Sequence, residues 1–121
     1  MLVRLLYASR ATSPIDEALV ASILEQAHAY NAQHGLTGFL YTSCEGGVFL
    51  QVLEGGRAAV NELYGSILRD PRHKDVTLLD YEEIGERRFA TWRMGRVNLD
   101  RVNLGTILRF SESPVFNPFE M

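Results

Sequence analysis

The apolar pattern of this chain switches between a strand period and a helix period, and the order of the switches limits the folds open to it. Leu2 to Ser9 is rich in strand formers, with Val3, Leu5 and Tyr7 on one face. After Ser13-Pro14 the period lengthens, and Leu19, Val20, Ile23, Leu24 and Ala27 recur at helical spacing. Ser13 can cap this helix, Pro14 suits its first position, and Asp16 and Glu17 favour its positive end. The helix is predicted to run to Asn31 or Gln33 and to stop before Gly35.

Strand patterning returns at Leu36 to Thr42 and at Val48 to Leu53, on either side of the turn Cys44-Glu45-Gly46-Gly47, so these form a hairpin. Gly55-Gly56 breaks the chain. Ala59, Val60, Leu63, Tyr64, Ile67 and Leu68 then give a second helical stripe, ended by Pro71. Val76 to Tyr81 and Phe89 to Met94 read as the fourth and fifth strands. The order βαββαββ predicts the α+β class, a ferredoxin-like five-stranded mixed sheet with two helices on one face. The other face would be partly apolar, and by fold analogy a homo-oligomer is expected to bury it. Leu104 to Phe110 reads as a short helix or turn, and the tail with Pro114 and Pro118 as irregular. The domain is therefore expected over 1–97, with a C-terminal extension over 98–121.

Composition sets the class and little more. A length of 121 residues suits one domain, and 46% apolar with 22% charged residues is ordinary for a soluble globular chain. The net charge of -3 argues against a nucleic-acid partner. Arg69, Arg72, Lys74, Arg87, Arg88, Arg93 and Arg96 form a basic run, but Glu82, Glu83 and Glu86 interleave with it, and a solvated surface is expected. Cys44 is the single cysteine and cannot form an internal disulfide. The opening MLVRLLYASR is too short and too interrupted by Arg4 and Arg10 for a signal peptide or membrane span, so a cytoplasmic location without membrane contact is the default.

Three polar residues fall where the pattern predicts apolar ones. Tyr7 shares a strand face with Val3 and Leu5, Gln51 shares one with Phe49 and Leu53, and Asn31 continues the stripe of Val20, Leu24 and Ala27. A buried amide without a partner costs about 1–3 kcal/mol, so each must be bonded to something. Backbone or water could satisfy any one of them. Together they suit a neutral, planar ligand with polar edges, held between apolar walls. They suit hydrolysis poorly, since no paired acid and base lies near them.

Other constellations carry less. His28, His34 and His73 lack metal-ligand spacing, and the first two read as surface or capping histidines. Ala8-Ser9-Arg10-Ala11 has no glycine for a phosphate loop after the first strand. That counts against an acylphosphatase-like hydrolase using Arg10 and Asn31. A ligand-free interaction module would leave the polar trio unexplained. Cys44 has no basic partner beside it and is not expected to be reactive.

At these residues the sequence resembles the BLUF family, sensors of blue light using flavin. The resemblance rests on Leu-Leu-Tyr7-Ala-Ser, on Asn31-Ala-Gln-His-Gly-Leu-Thr-Gly-Phe-Leu, and on Phe49-Leu-Gln51-Val-Leu-Glu54-Gly55. It continues through Asp70-Pro-Arg72-His73 and Phe89-Ala-Thr-Trp92-Arg-Met94, covering roughly residues 2 to 95 in order.

The resemblance implies a blue-light photoreceptor that is not an enzyme. Tyr7 would donate an electron and proton to the photoexcited flavin, and Gln51 would stand between that tyrosine and the ring. Asn31 would bond the polar edge of the ring, with Asp70, Arg72 and His73 near its other edge. Ile23 and Ile67 would be the apolar walls, and Trp92 and Met94 would relay the change outward. Some members carry an arginine one turn before the aspartate, where this chain has Ser66. The resemblance implies FAD, and because no phosphate loop is apparent FMN and riboflavin stay open as alternatives. The short stretch after the domain implies no attached output enzyme, so the signal would pass to an unknown downstream protein or through a change of assembly.

Overall fold

A computed structural model describes residues 1–90 and 93–98. The elements are β1 (Leu2–Ala11), α1 (Glu17–His34), β2 (Thr37–Ser43), β3 (Val48–Gly56), α2 (Arg57–Leu68), β4 (His73–Ile84) and β5 (Gly95–Asn98). They build one five-stranded sheet in the order β4-β1-β3-β2-β5. β5 runs parallel to β2 and every other pairing is antiparallel, so the sheet is mixed, as the pattern predicted. Both helices lie on one face. Leu19, Ile23, Leu24 and Ala27 of α1 and Leu63, Tyr64 and Ile67 of α2 pack on the cluster of Val3, Leu5, Leu40, Phe49 and Leu53. Burying each such large apolar side chain contributes about 1.5–3 kcal/mol.

Several element boundaries differ from the expected ones. α1 starts later than Ser13-Pro14: Asp16 is the cap, its carboxylate accepting from the Leu19 N–H at 2.8 Å. The residues flanking that cap explain the choice. Ile15 before it and Val20 in the first turn are both buried in the core, stapling the helix start in place. The C-terminal end falls where expected, with Gly35 in the left-handed conformation at φ 68°. β4 extends beyond Val76–Tyr81 at both ends because β1 offers it a long partner, interrupted by register shifts at Leu6/Tyr7 and Ala8/Arg10.

The fifth strand is not Phe89–Met94. It is Gly95–Asn98, and Phe89 lies in a bend. The backbone N–H groups of Arg88 and Phe89 each donate to the Glu54 carboxylate at 2.9 Å, so they are spent on a side chain and not on a ladder. At the strand start, a Cβ on Gly95 would lie 2.4 Å from the Phe39 ring, which reserves that position for glycine. Trp92 and the expected extension beyond Asn98 lie outside the described residues.

The second sheet face holds more than the expected open apolar surface. Phe39, Tyr41, Leu50 and Val52 are buried there. Among the described residues the exposed large apolar side chains are Met1, Leu68, Leu78 and Leu79. This face also carries a row of polar partners running across four strands. Arg4 is the cross-strand partner of both Glu54 and Glu82, and Glu54 is the partner of Thr37. Arg4 meets Glu54 and Glu82 at 2.9 Å each, and the Glu54 side chain is fully buried.

Much of the basic run is likewise not a solvated surface. Arg87 donates to Thr37 Oγ1 and to the Glu54 carbonyl, Arg93 to the Leu36 carbonyl, and Arg96 to Glu17 and Thr42. These residues fasten the chain after β4 back onto the domain.

Candidate functional site

Between the two helices and the sheet lies a cavity of about 390 Å³. Small-molecule sites commonly span about 300–1,000 Å³. Ile23 and Ala27 of α1 and Leu63 and Ile67 of α2 form its facing apolar walls, and Tyr7, Leu40, Phe49 and Gln51 form the sheet floor. Asn31, Asp70, Arg72 and His73 supply polar lining, so every flavin-contact residue implied by the family resemblance borders one space.

Tyr7 and Gln51 are direct cross-strand partners on β1 and β3. The Tyr7 hydroxyl donates to Gln51 Oε1, and Gln51 Nε2 points to the Met94 sulfur at 3.6 Å. All three side chains are buried. The ring of Tyr64 lies 5.7 Å from that of Tyr7. Burial pushes the Tyr7 phenol well above its ordinary value, and the Asp70 charge adds to this while Arg72 opposes it. The hydroxyl therefore keeps its proton at neutral pH and remains a donor.

Asn31 is 1% exposed and divides its amide between two environments. Its Nδ2 donates to the Arg93 carbonyl, whereas Oδ1 is buried with no partner. An unsatisfied buried acceptor is costly, and a ligand N–H in the cavity would complete it. Apolar walls, a floor with a tyrosine and an amide, and a partnerless amide oxygen on a lining residue fit a flavin ring, which is planar and carries its polar atoms on one side.

Asp70 and Arg72 form a two-pronged ion pair, with Arg72 Nε 3.0 Å from each carboxylate oxygen. Hydrogen bonding from Arg72 holds the Asp70 carboxyl below its usual range, against the opposing effect of burial. A depressed carboxylate stabilises the fold above its unfolded value, about pH 4, and that contribution disappears as the pH falls through the lower folded value. Asp70→Asn is accordingly expected to lose less stability than the parent on acidification below about pH 4, read by urea unfolding across a pH series.

His73 borders the cavity with both ring nitrogens already engaged. Nε2 donates to the Ile67 carbonyl at 2.6 Å, and Nδ1 lies 2.8 Å from Ser9 Oγ and so accepts from it. The imidazole stands edge-on to Tyr7 and Phe49 and offers the cavity no free N–H. Arg10, by contrast, is exposed and pairs with Asp75 at 3.9 Å; it does not line the cavity with Asn31. Among the described residues no cluster of metal-ligating side chains occurs, and no helix is long and apolar enough to cross a membrane.

Sequence reasoning missed Glu54 as an anchor and Gln26 and Tyr30 as lining. A signal for the first was present. Arg4 and Glu54 are opposite charges inside otherwise apolar strands, and charges are rarely buried unless paired. For Gln26 and Tyr30 the helical stripe held a signal, since Gln26 follows Ile23 by three residues and Tyr30 follows Ile23 by seven and Ala27 by three.

Comparison with known proteins bears on this arrangement. The family described as sensors of blue-light using FAD matches residues 2–95. Photoactivated adenylate cyclase subunit beta of Euglena gracilis is 41% identical over 90 residues, which is 74% of this chain and 10% of that protein. The chain thus spans about a tenth of the length of such curated relatives. Among solved structures, BlrB, a BLUF protein in its dark state, is 34% identical with a TM-score of 0.79, covering 93% of this chain and 86% of that one. BlrP1 of Klebsiella pneumoniae, solved with FMN and cyclic diGMP, is 33% identical with a TM-score of 0.76, covering 98% of this chain and 32% of that one. A cavity between two helices, floored by a paired tyrosine and glutamine, and a family match over nearly the whole described chain lead to one conclusion: this chain belongs to the BLUF family of flavin-based blue-light sensors.

Proposed function

We propose that the cavity holds a flavin by its ring alone, and that light changes the hydrogen bonds of Gln51 between Tyr7 and Met94. The observation that carries this reading is the buried chain from the Tyr7 hydroxyl through Gln51 to the Met94 sulfur, on the floor of the cavity. When bound, the flavin supplies blue-light absorption and an excited state that takes an electron from a nearby donor.

The protein's own part follows from donor and acceptor chemistry. Tyr7 Oη is the donor toward Gln51 and keeps its proton at rest. Withdrawing that proton, or rotating the amide, changes what Gln51 presents on each side. A rotated amide turns Nε2 toward Tyr7 Oη, which can accept as well as donate. It turns Oε1 toward the Met94 sulfur, which has no hydrogen to give. The Gln51–Met94 contact is then lost, and Met94 is free to carry the change into β5. Trp92 belongs to the same relay by resemblance. Asn31 anchors the ring through Oδ1, and Ile23 and Ile67 exclude water from its faces.

Ring recognition also bears on which flavin binds. The cavity cation Arg72 is committed to Asp70, and Ser66 stands where some relatives have an arginine. Riboflavin, FMN and FAD are therefore expected to bind within about tenfold of one another, because a phosphate gains no dedicated partner. The test is reconstitution with each flavin followed by blue light. Each complex is expected to show a red shift of the flavin band that reverses in darkness. A chain that takes up none of the three sinks the reading. The output then passes through another protein or a change of assembly in the cytoplasm.

A further inference from the structure

His28 lies on α1, outside the cavity, and is an exposed residue. Its Nε2 is 2.9 Å from the main-chain oxygen of Met94. A carbonyl oxygen only accepts, so Nε2 carries the hydrogen. Met94 is also the residue whose sulfur receives Gln51 Nε2. One side chain of α1 thus fixes the backbone of the residue that touches the amide.

The neighbouring contacts sharpen this. Asn31 stands one helical turn beyond His28, and its Nδ2 donates to the carbonyl of Arg93. Consecutive carbonyls, those of Arg93 and Met94, are therefore both held by the same turn of α1. Immediately after them the Gly95 backbone lies close against Phe39, which limits how far Met94 can shift along the chain. Asn31 also faces the cavity, whereas His28 does not, so His28 can act on Met94 without touching a ligand.

We propose that His28 is a positioning residue: its hydrogen bond to the Met94 carbonyl holds the Met94 sulfur against Gln51 in the dark arrangement and hastens the return to it after light. This rests on the reading of Gln51 as the switching amide. The bond forms only when Met94 is docked, so it favours the docked arrangement. A typical net hydrogen-bond contribution corresponds to roughly a two- to tenfold change in such an equilibrium.

The test compares His28→Ala, His28→Gln and Glu17→Gln in the flavin-loaded full chain. Two quantities are read: the rate at which the flavin band recovers in darkness, and dark-state hydrogen exchange at Met94 and Gly95. His28→Ala is expected to recover roughly two- to tenfold more slowly and to exchange faster at those amides. His28→Gln places an Nε2 donor the same number of bonds from the backbone and is expected to restore both. Glu17 is 78% exposed and its pair with Arg96 at 3.2 Å ties β5 to α1 elsewhere, so Glu17→Gln controls for general loosening. It is expected to recover within about twofold of the parent, as exposed pairs contribute little. The proposal is overturned if His28→Ala recovers at the parental rate or faster, if His28→Gln fails to rescue, or if Glu17→Gln is equally slow. A parent chain with bound flavin and no light response removes the sensor reading instead. Dark exchange at Met94 and Gly95 then still decides whether His28 is the tether, and parental exchange in His28→Ala rejects it.

Discussion

Tyr7→Phe abolishes the light-driven shift of the flavin band while the flavin stays bound. The substitution removes one oxygen from a buried floor and leaves the walls, Asn31 and the Asp70–Arg72 pair in place. Flavin affinity is therefore expected to stay within a few-fold of the parent, whereas the photoresponse falls below detection. The reason is chemical. Phenylalanine has no hydroxyl proton to give, and Gln51 Oε1 loses the donor that defines its orientation. The same loss leaves a buried acceptor unsatisfied, which costs about 1–3 kcal/mol of stability. Absorbance before and after blue light, with flavin retention through gel filtration, checks the prediction. An ordinary light-driven shift in Tyr7→Phe would remove the role proposed for Tyr7.

Glu54→Ala has the largest expected effect on stability. The Glu54 carboxylate accepts from Arg4, from Thr37 at 3.2 Å, and from the backbone of Arg88 and Phe89. Removing it leaves the largely buried Arg4 guanidinium with only the half-exposed Glu82 as a carboxylate partner, and unties the backbone that leads toward Met94. Breaking one partner of a buried ion pair typically costs about 3–5 kcal/mol, and the pair that Arg4 keeps with Glu82 sets the expectation at the lower end of that range. A domain of this size has about 5–15 kcal/mol in total, so a large share of the margin goes. Urea unfolding of the two proteins measures the difference. A change below about 1 kcal/mol would mean that the anchor is dispensable.

The two predictions concern opposite faces of one strand. Gln51 on β3 points into the cavity, and Glu54, three residues on, points to the other face, where it holds the chain at Arg88 and Phe89. Photochemistry and mechanical support are thus carried by the same backbone. The segment whose displacement is proposed as the signal is held behind by Glu54 and ahead by α1.

How much of this was legible beforehand depends on the range of the interaction. Periodicity is local, so the helical stripes, the hairpin around Cys44 to Gly47 and the Gly35 stop could be read from neighbouring residues. The start of α1 could not, because Ser13 and Asp16 are both good caps, and the burial of Ile15 selects Asp16. The fifth strand was misplaced for a similar reason. Phe89 and its neighbours have strand-forming side chains, but the Glu54 carboxylate takes the Arg88 and Phe89 backbone donors across a sequence separation of 35 residues at Phe89.

The sequence by itself determined the class of the fold, the polar trio of Tyr7, Asn31 and Gln51, and the family resemblance. Each of these is carried by residue identity and short spacing. Only the tertiary structure decided that Tyr7 stands opposite Gln51, that Asn31 lines the cavity with one buried oxygen lacking a partner, and that His28 reaches the Met94 carbonyl. Strand register and the docking of a helix on a distant loop join residues far apart in the chain, and no local pattern encodes which of them meet.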